Sequence, residues 1–452
     1  MPLRRNSTLL TLFAGGLAPG TLDVASVAAL GTTVTNDLSP DGFTWAAVRG
    51  SVVVDQYGKM VVYAQRYNGN TRQCYFVISN DSGGSWADNA GVVGGEAFLT
   101  RGNIVYDAAR DCFHGLIMGI PSVGGVIYRR YSITRDGSNN ITSIARVGGV
   151  SVVLDDAGGS DSNLLEFPTI IMPDANTVLA AWTIATTSPG GEIRCAKVDI
   201  TSNADAGGTA SNWVHIGVSS TTTIGVPPAV ASYTIPFVQT SAKVPTYFSL
   251  LQLASGDLRW VYHNGAAPGA YATKRSVRNA AVTWNSFGSP VTLTNVQRAG
   301  TDTGYNLKAQ LISQLSERAG VVFVGLATWK ANATGDTWGV YVIAADDSLS
   351  TSVDVYSAGG AHSYAPTGDV AYDSTSGRIV VTYDQTTTVD GYIGLLSPTD
   401  LSTLQTFTAF ESTADVDIPV IGSTRVGGRV LIIYRVAGSP PQIGKTARLT
   451  WG

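Results

Sequence analysis

The 452-residue sequence predicts an all-β fold, a β-propeller of about seven four-stranded blades closed by a strand from the N-terminal region. Three observations carry that expectation. A strand-like motif ending in an apolar or aromatic cluster, often preceded by glycine and a charged residue, recurs roughly every 50 to 80 residues. Each copy is followed by a loop rich in Gly, Pro, Thr or Asn and then by another strand-like run. Nothing reads as a long amphipathic helix. The rival all-β layout, two or three sandwiches in series, is disfavoured because no clear linker divides the chain.

The copies run in order. They are Gly58-Lys59-Met60-Val61-Val62-Tyr63, Phe113-His114-Gly115-Leu116-Ile117-Met118 and Thr177-Val178-Leu179-Ala180-Ala181-Trp182. Next come Asp257-Leu258-Arg259-Trp260-Val261-Tyr262 and Val321-Val322-Phe323-Val324-Gly325-Leu326. The last two are Gly377-Arg378-Ile379-Val380-Val381-Thr382-Tyr383 and Gly428-Arg429-Val430-Leu431-Ile432-Ile433-Tyr434. Their β-branched and aromatic content suits packed strands. After the seventh copy only Lys445–Thr450 remains to form a strand. A segment near the start, Gly31–Thr35 or Phe43–Val48, is therefore expected to complete that blade and remove an open edge. The domain division that follows is an anchor or assembly segment over residues 1–42 and a propeller over 43–452.

Composition bounds the function. Charged residues make up 14% of the chain and the formal net charge is −4, so a basic nucleic-acid footprint is absent. No apolar run approaches the roughly 18 residues of a membrane helix. Cys74, Cys112 and Cys195 are odd in number and widely spaced, with neither a disulfide framework nor zinc-type spacing. Folding in a reducing cytoplasm is the simplest reading. His114, His215, His263 and His362 are scattered, so no metal and no cofactor are expected.

The most informative local motif is Ser79-Asn80-Asp81-Ser82-Gly83-Gly84-Ser85-Trp86. Asp81 can accept backbone N–H groups, Gly83 and Gly84 can adopt positive φ, and Trp86 can fold back as an apolar plug. Fainter echoes lie at Ser132–Gly137, at Ser397-Pro398-Thr399-Asp400, and at Asp205–Gly208 with Trp213. On Ser79, Asp81, Gly83 and Trp86 the octet fits Ser-x-Asp-x-Gly-x-x-Trp. It resembles the Asp box of sialidase-like β-propellers (the BNR type). In that family the turn is a structural staple away from the catalytic pocket. Typical sialidases have six blades, which makes six the alternative count here.

The resemblance stops short of an active site. The family's arginine in Arg-Ile-Pro has no match: the nearest segments are Tyr233-Thr234-Ile235-Pro236 and Asp417-Ile418-Pro419, and both lack it. Sialidase activity is therefore disfavoured. The expected starts of the innermost strands ring a channel mouth with charge and aromatics, which suits a sugar. Arg49, Arg101, Lys308 and Tyr364 are the ligand-binding candidates. Glycoside hydrolysis needs two carboxylates, and Glu166 with Asp417 or Asp369 is the best pair on offer.

These features lead to a virion-associated recognition β-propeller, a bacteriophage tail or fibre component assembled in the host cytoplasm. It would bind host surface glycan or polysaccharide without turnover, and contact other virion proteins through its N-terminal segment in a homo-oligomer or multi-copy assembly. The alternatives are a glycoside hydrolase with an atypical active site and a secreted bacterial lectin-like protein.

Overall fold

The computed structural model describes residues 20–26, 35–37, 44–46, 52–68, 71–89, 99–119, 125–155, 165–185, 191–215, 248–264, 270–277, 286–287, 291–298, 312–329, 336–357, 366–385, 390–412, 415–437 and 443–452. Among these residues the chain is all-β, with three four-stranded, two five-stranded and one nine-stranded antiparallel sheet. In the second sheet, for example, Leu99–Asp107, Cys112–Gly119, Val126–Arg135 and Ile141–Asp155 lie side by side in chain order. Leu165–Asp174, Thr177–Ala185, Gly191–Asp199 and Val214–His215 repeat the arrangement, as do Gly368–Asp373, Arg378–Asp384, Gly391–Leu396 and Thr403–Glu411. Between these, residues 248–357 form a nine-stranded sheet because Val291–Arg298 pairs with both Ala270–Val277 and Val321–Trp329.

All seven motif copies fall on strands paired on both sides. Met60–Asn68 lies between Val52–Val54 and Thr71–Ser79, and Arg429–Ala437 lies between Asp415–Val426 and Ile443–Trp451. These strands have no polar face over most of their length. Residues 60–63, 177–182, 379–384 and 430–435 are each buried without a break. An alternating strand inside a single-layer sheet would expose every second side chain, so such runs require a neighbour on each face.

The neighbours are the adjoining sheets. Val61 and Tyr63 pack on Phe113, Ile117 and Tyr131 of the second sheet. On the opposite face, Met60 and Val62 pack on Val426, Leu431 and Ile433 of the last. Val178, Ala180 and Trp182 meet Leu116, Tyr128 and Val152 behind them, whereas Leu179 and Ala181 meet Leu258 and Trp260 ahead. Each fully buried side chain of this size contributes about 1.5–3 kcal/mol.

The N-terminal residues join the last sheet. Leu22 and Asp23 pair with Trp451 and Thr450, and Thr35–Asp37 pairs with Lys445–Ala447. The expected closing segments fare differently: Thr35 takes part, residues 31–34 lie outside the described residues, and Thr44–Ala46 joins the first sheet.

The Asp81 turn is tightly bonded. Ser79 Oγ donates to Asp81 Oδ1 at 2.8 Å and accepts the Gly83 N–H at 2.8 Å. The Ser85 N–H and Oγ donate to the two carboxylate oxygens, each at 2.8 Å. Gly83 has φ +83°, and a Cβ there would lie 3.0 Å from Leu431, so the turn rests directly on the last sheet. Trp86 packs into the same cluster as Met60 and Leu431. The echoes close equivalent hairpins: Asp136 accepts the N–H groups of Ser138 and Asn140, and Asp400 accepts that of Ser402. At the third echo, Trp213 is fully buried and its indole N–H donates to Gly207 O.

These turn carboxylates give the fold an acid limit. Side-chain donation from Asn140, Ser348 and Ser397, aided by backbone N–H groups, holds Asp136, Asp346 and Asp400 below the ordinary carboxylate range. At Asp81 burial pushes upward, but the Ser85 N–H and the two serine hydroxyls outweigh it. A folded value below the unfolded one, near 3.9, adds stability that is present above about pH 4 and is lost as pH falls through the folded values. Melting temperature should be level from pH 7 to about 5 and fall steeply toward pH 3; a level profile down to pH 3 would contradict this account.

Candidate active site

The two ends of the sheets use their carboxylates differently. At the end where first strands turn into second strands, Asp55, Asp107, Asp174 and Asp373 accept the N–H groups of their own turns. The third-to-fourth strand turns of Asp81, Asp136, Asp346 and Asp400 share that end. The opposite end, where first strands begin and second strands finish, has buried carboxylates bonded to hydroxyl groups.

There Thr367 donates its N–H and its Oγ1 to Asp384, the hydroxyl at 2.8 Å, while the Asp384 N–H returns to Thr367 O at 3.0 Å. Glu411 ends the fourth strand of the same sheet and accepts from Tyr434 OH at 3.1 Å across to the last sheet. Asp384, Gly391 and Glu411 stand in one register row. Phe410 meets Tyr434 edge-on at 5.3 Å, and Arg435 lies opposite Asp417 in the next strand. Tyr356, Tyr383 and Tyr392 stack at the same end, with centroids 5.5 and 5.4 Å apart. Burial pushes the Tyr383 phenol up to about 12, so that ring is neutral at ordinary pH. Carboxylates, hydroxyls and aromatic faces together are what a sugar ring requires.

The sequence candidates are distributed unevenly. Asp369 sits on a first strand but serves as a staple. Its Oδ1 accepts the Gln314 N–H at 2.9 Å, and its Oδ2 accepts Gln314 Nε2 at 3.2 Å and the Ile421 N–H at 3.0 Å, which ties three successive sheets together. A carboxylate committed to backbone N–H groups on both flanks is a poor proton carrier. Glu166, Asp417 and Arg101 lie on strands Leu165–Asp174, Asp415–Val426 and Leu99–Asp107, with side chains outside the described set. Arg49, Lys308 and Tyr364 lie outside the described residues.

Sequence reading passed over Asp384, Tyr434 and Arg435 as site residues and gave Glu411 no role. A signal was available: Tyr383-Asp384 and Tyr434-Arg435 occupy matching positions at the ends of the sixth and seventh copies.

A second cluster lies at the turn end. Asp107, Cys112 and His114 are buried together. Burial pushes the Cys112 thiol up to about 11 and pulls the His114 imidazole below its usual value, so the pair is no thiolate–imidazolium nucleophile.

No family model matches the chain, and no curated protein matches it. Solved structures do. A protein of unknown function from Dyadobacter fermentans is 13% identical, with 92% of this chain and 98% of that chain covered and a TM-score of 0.46. The polysaccharide lyase Uly1 is 10% identical, with 92% and 90% covered and a TM-score of 0.45. An α-L-arabinanase from Penicillium chrysogenum is 9% identical, with 91% and 94% covered and a TM-score of 0.43. Likenesses this distant assign no activity to the chain. They do overturn one expectation, that of a virion recognition propeller binding host glycan without turnover: of these structures, the two named by function are a polysaccharide lyase and an arabinanase.

The staple role of Asp369 is testable. Asp369→Ala leaves buried N–H groups of Gln314 and Ile421 without their acceptor and should cost about 3 kcal/mol. Urea denaturation reads this as a lower midpoint; an unchanged midpoint would show that the staple carries no stability.

Proposed function

We propose that this chain is a carbohydrate-active β-propeller enzyme, a glycoside hydrolase, with seven blades closed by Leu22–Asp23 and Thr35–Asp37 against Ile443–Trp451. The blade count is supported by the seven doubly paired motif strands, and the closure by the Met60–Leu431 cluster between first and last sheets. The observation that carries the activity is Glu411. It is a buried carboxylate at the strand-start end that accepts a tyrosine hydroxyl from the neighbouring sheet.

Hydrolysis then divides between two carboxyl groups. Glu411 ends one strand and Asp417 is the third residue of the next, with residues 412–414 between the two strands. One donates a proton to the departing glycosidic oxygen while the other activates water or attacks the sugar carbon. The Tyr434 hydroxyl, which donates to Glu411, orients that carboxyl for the acid role. Asp384 is held by Thr367 and shapes the floor. The tyrosine ladder provides a stacking surface for a sugar chain. The substrate class is a polysaccharide.

The test is incubation with a panel of neutral and uronate-containing polysaccharides, arabinan among them, followed by assay of new reducing ends. Glu411→Gln and Asp417→Asn should each lower release at least 100-fold with unchanged melting temperature. No release from any substrate would sink the enzymatic reading. Unsaturated sugar products would replace hydrolysis by elimination.

A further inference from the structure

We propose that Asp107, Cys112 and His114 form a binding site for one divalent cation of the zinc class, independent of the carbohydrate site. Asp107 ends Leu99–Asp107 and faces Cys112, the first residue of the next strand, directly across the ladder. His114 is two residues further on and so projects to the same face. One ligand atom from each residue, a carboxylate oxygen, the thiol sulfur and an imidazole nitrogen, lies within 4.8 Å of the other two.

The spacings favour coordination over hydrogen bonding. His114 Nε2 is 3.4 Å from Asp107 Oδ2 and 3.9 Å from Cys112 Sγ. The first is long for an N–H···O bond, whose usual range is about 2.7–3.2 Å. A tetrahedral zinc ion with ligand bonds of about 2.0–2.3 Å sets its N and O ligands about 3.3 Å apart and its N and S ligands about 3.6 Å apart. The observed separations differ from these by about 0.3 Å at most.

The surroundings are arranged as a ligand support. His114 Nδ1 is 2.7 Å from Tyr128 OH, which fixes the ring with Nε2 toward the cluster. Asp107 Oδ1 accepts the N–H groups of Ala109 and Arg110, and Oδ2 takes Arg110 Nη1 at 2.9 Å. That carboxylate is therefore held in place before any ion arrives. Two cations border the cluster, Arg110 on the Asp107 carboxylate and Arg130 on the Cys112 sulfur, and each has other acceptors. Arg130 pairs with Asp205, while Arg110 also donates to Ala175 O, Asn176 Oδ1 and Ile200 O. Binding replaces the thiol proton, which leaves to solvent, and the thiolate and carboxylate together neutralise the ion. Bound there, the ion would pin the turn between the second and third sheets, beside the Tyr128–Trp213 contact.

Tag-free full-length protein, stripped with chelator, is titrated with Co²⁺ alone. Saturation at one equivalent with thiolate-to-cobalt absorption in the near ultraviolet, bleached by one equivalent of Zn²⁺, is the expected result. Cys112→Ser should abolish the absorption and weaken Zn²⁺ binding at least tenfold, and Zn²⁺ should raise the melting temperature of the parent only. His114→Gln gives the same reading if the serine variant fails to fold. Absence of stoichiometric binding overturns the proposal, and so does absorption that survives both substitutions.

Discussion

Burial of the second strands on both faces is the constraint on which the rest of this structure depends. A run such as Val430-Leu431-Ile432-Ile433-Tyr434 has no side it can turn to water, and the same holds for Met60–Tyr63 and Ile379–Tyr383. One sheet alone leaves half of each run exposed. Two stacked sheets cover one face of each and leave the outer faces bare. Only a succession in which every sheet has a sheet before and behind it satisfies all copies, and the terminal sheets then need each other. The contact of Met60, Val62 and Val77 with Val426, Leu431 and Ile433 meets that need. Local sequence thus dictates the global arrangement through the hydrophobic effect, with hydrogen bonding setting only the register.

Where first strands of neighbouring sheets approach one another, space runs short and the chemistry changes. Gly102 gives room to the Tyr63 ring, which occupies the place of its missing side chain. Short polar residues then do the joining. Asp369 spans from Gln314 to Ile421, Ser316 accepts the Tyr372 N–H, and Arg425 grips Asp373 through two bonds of 2.9 and 2.7 Å. Each supplies an acceptor or donor for a backbone or side-chain group that would otherwise be buried without one. Asp369 is such a residue, buried and bonded to the sheets on both sides of its own.

Much of the fold was legible because it rests on patterns of adjacent residues. The seven apolar copies marked the doubly paired strands, and the Ser79–Trp86 octet marked a hairpin whose bonds are local. The pairing of N-terminal residues with the last strand was only partly legible. Leu22–Asp23 and Thr35–Asp37 are too short to stand out by β-propensity, and their pairing is fixed by the far end of the chain. The candidate site was less legible still. Glu411 meets Tyr434 across 23 residues and two sheets, and no spacing rule ties a glutamate to a tyrosine at that distance. The Asp107, Cys112 and His114 cluster was hidden for a different reason. Its spacing matches no zinc signature, because a ladder pair and a period-two strand bring the three together rather than a knuckle.

The contrast between the ends of the sheets follows from the same geometry. At the turn end each hairpin must reverse within a few residues, leaving backbone N–H groups that an aspartate can accept locally. Those carboxylates are consumed by the fold, and at Asp81, Asp136, Asp346 and Asp400 the hydrogen bonds hold the carboxyl below its ordinary range and so keep it charged. At the other end Asp384 accepts both the N–H and the hydroxyl of Thr367, and Glu411 accepts the hydroxyl of Tyr434. A hydroxyl both donates and accepts, so it can follow a carboxyl group through gain and loss of a proton, whereas a turn N–H can only oppose protonation. Among the described residues, Glu411 beside Tyr434 is a buried carboxyl–hydroxyl pair of this kind, joining the ends of two neighbouring sheets.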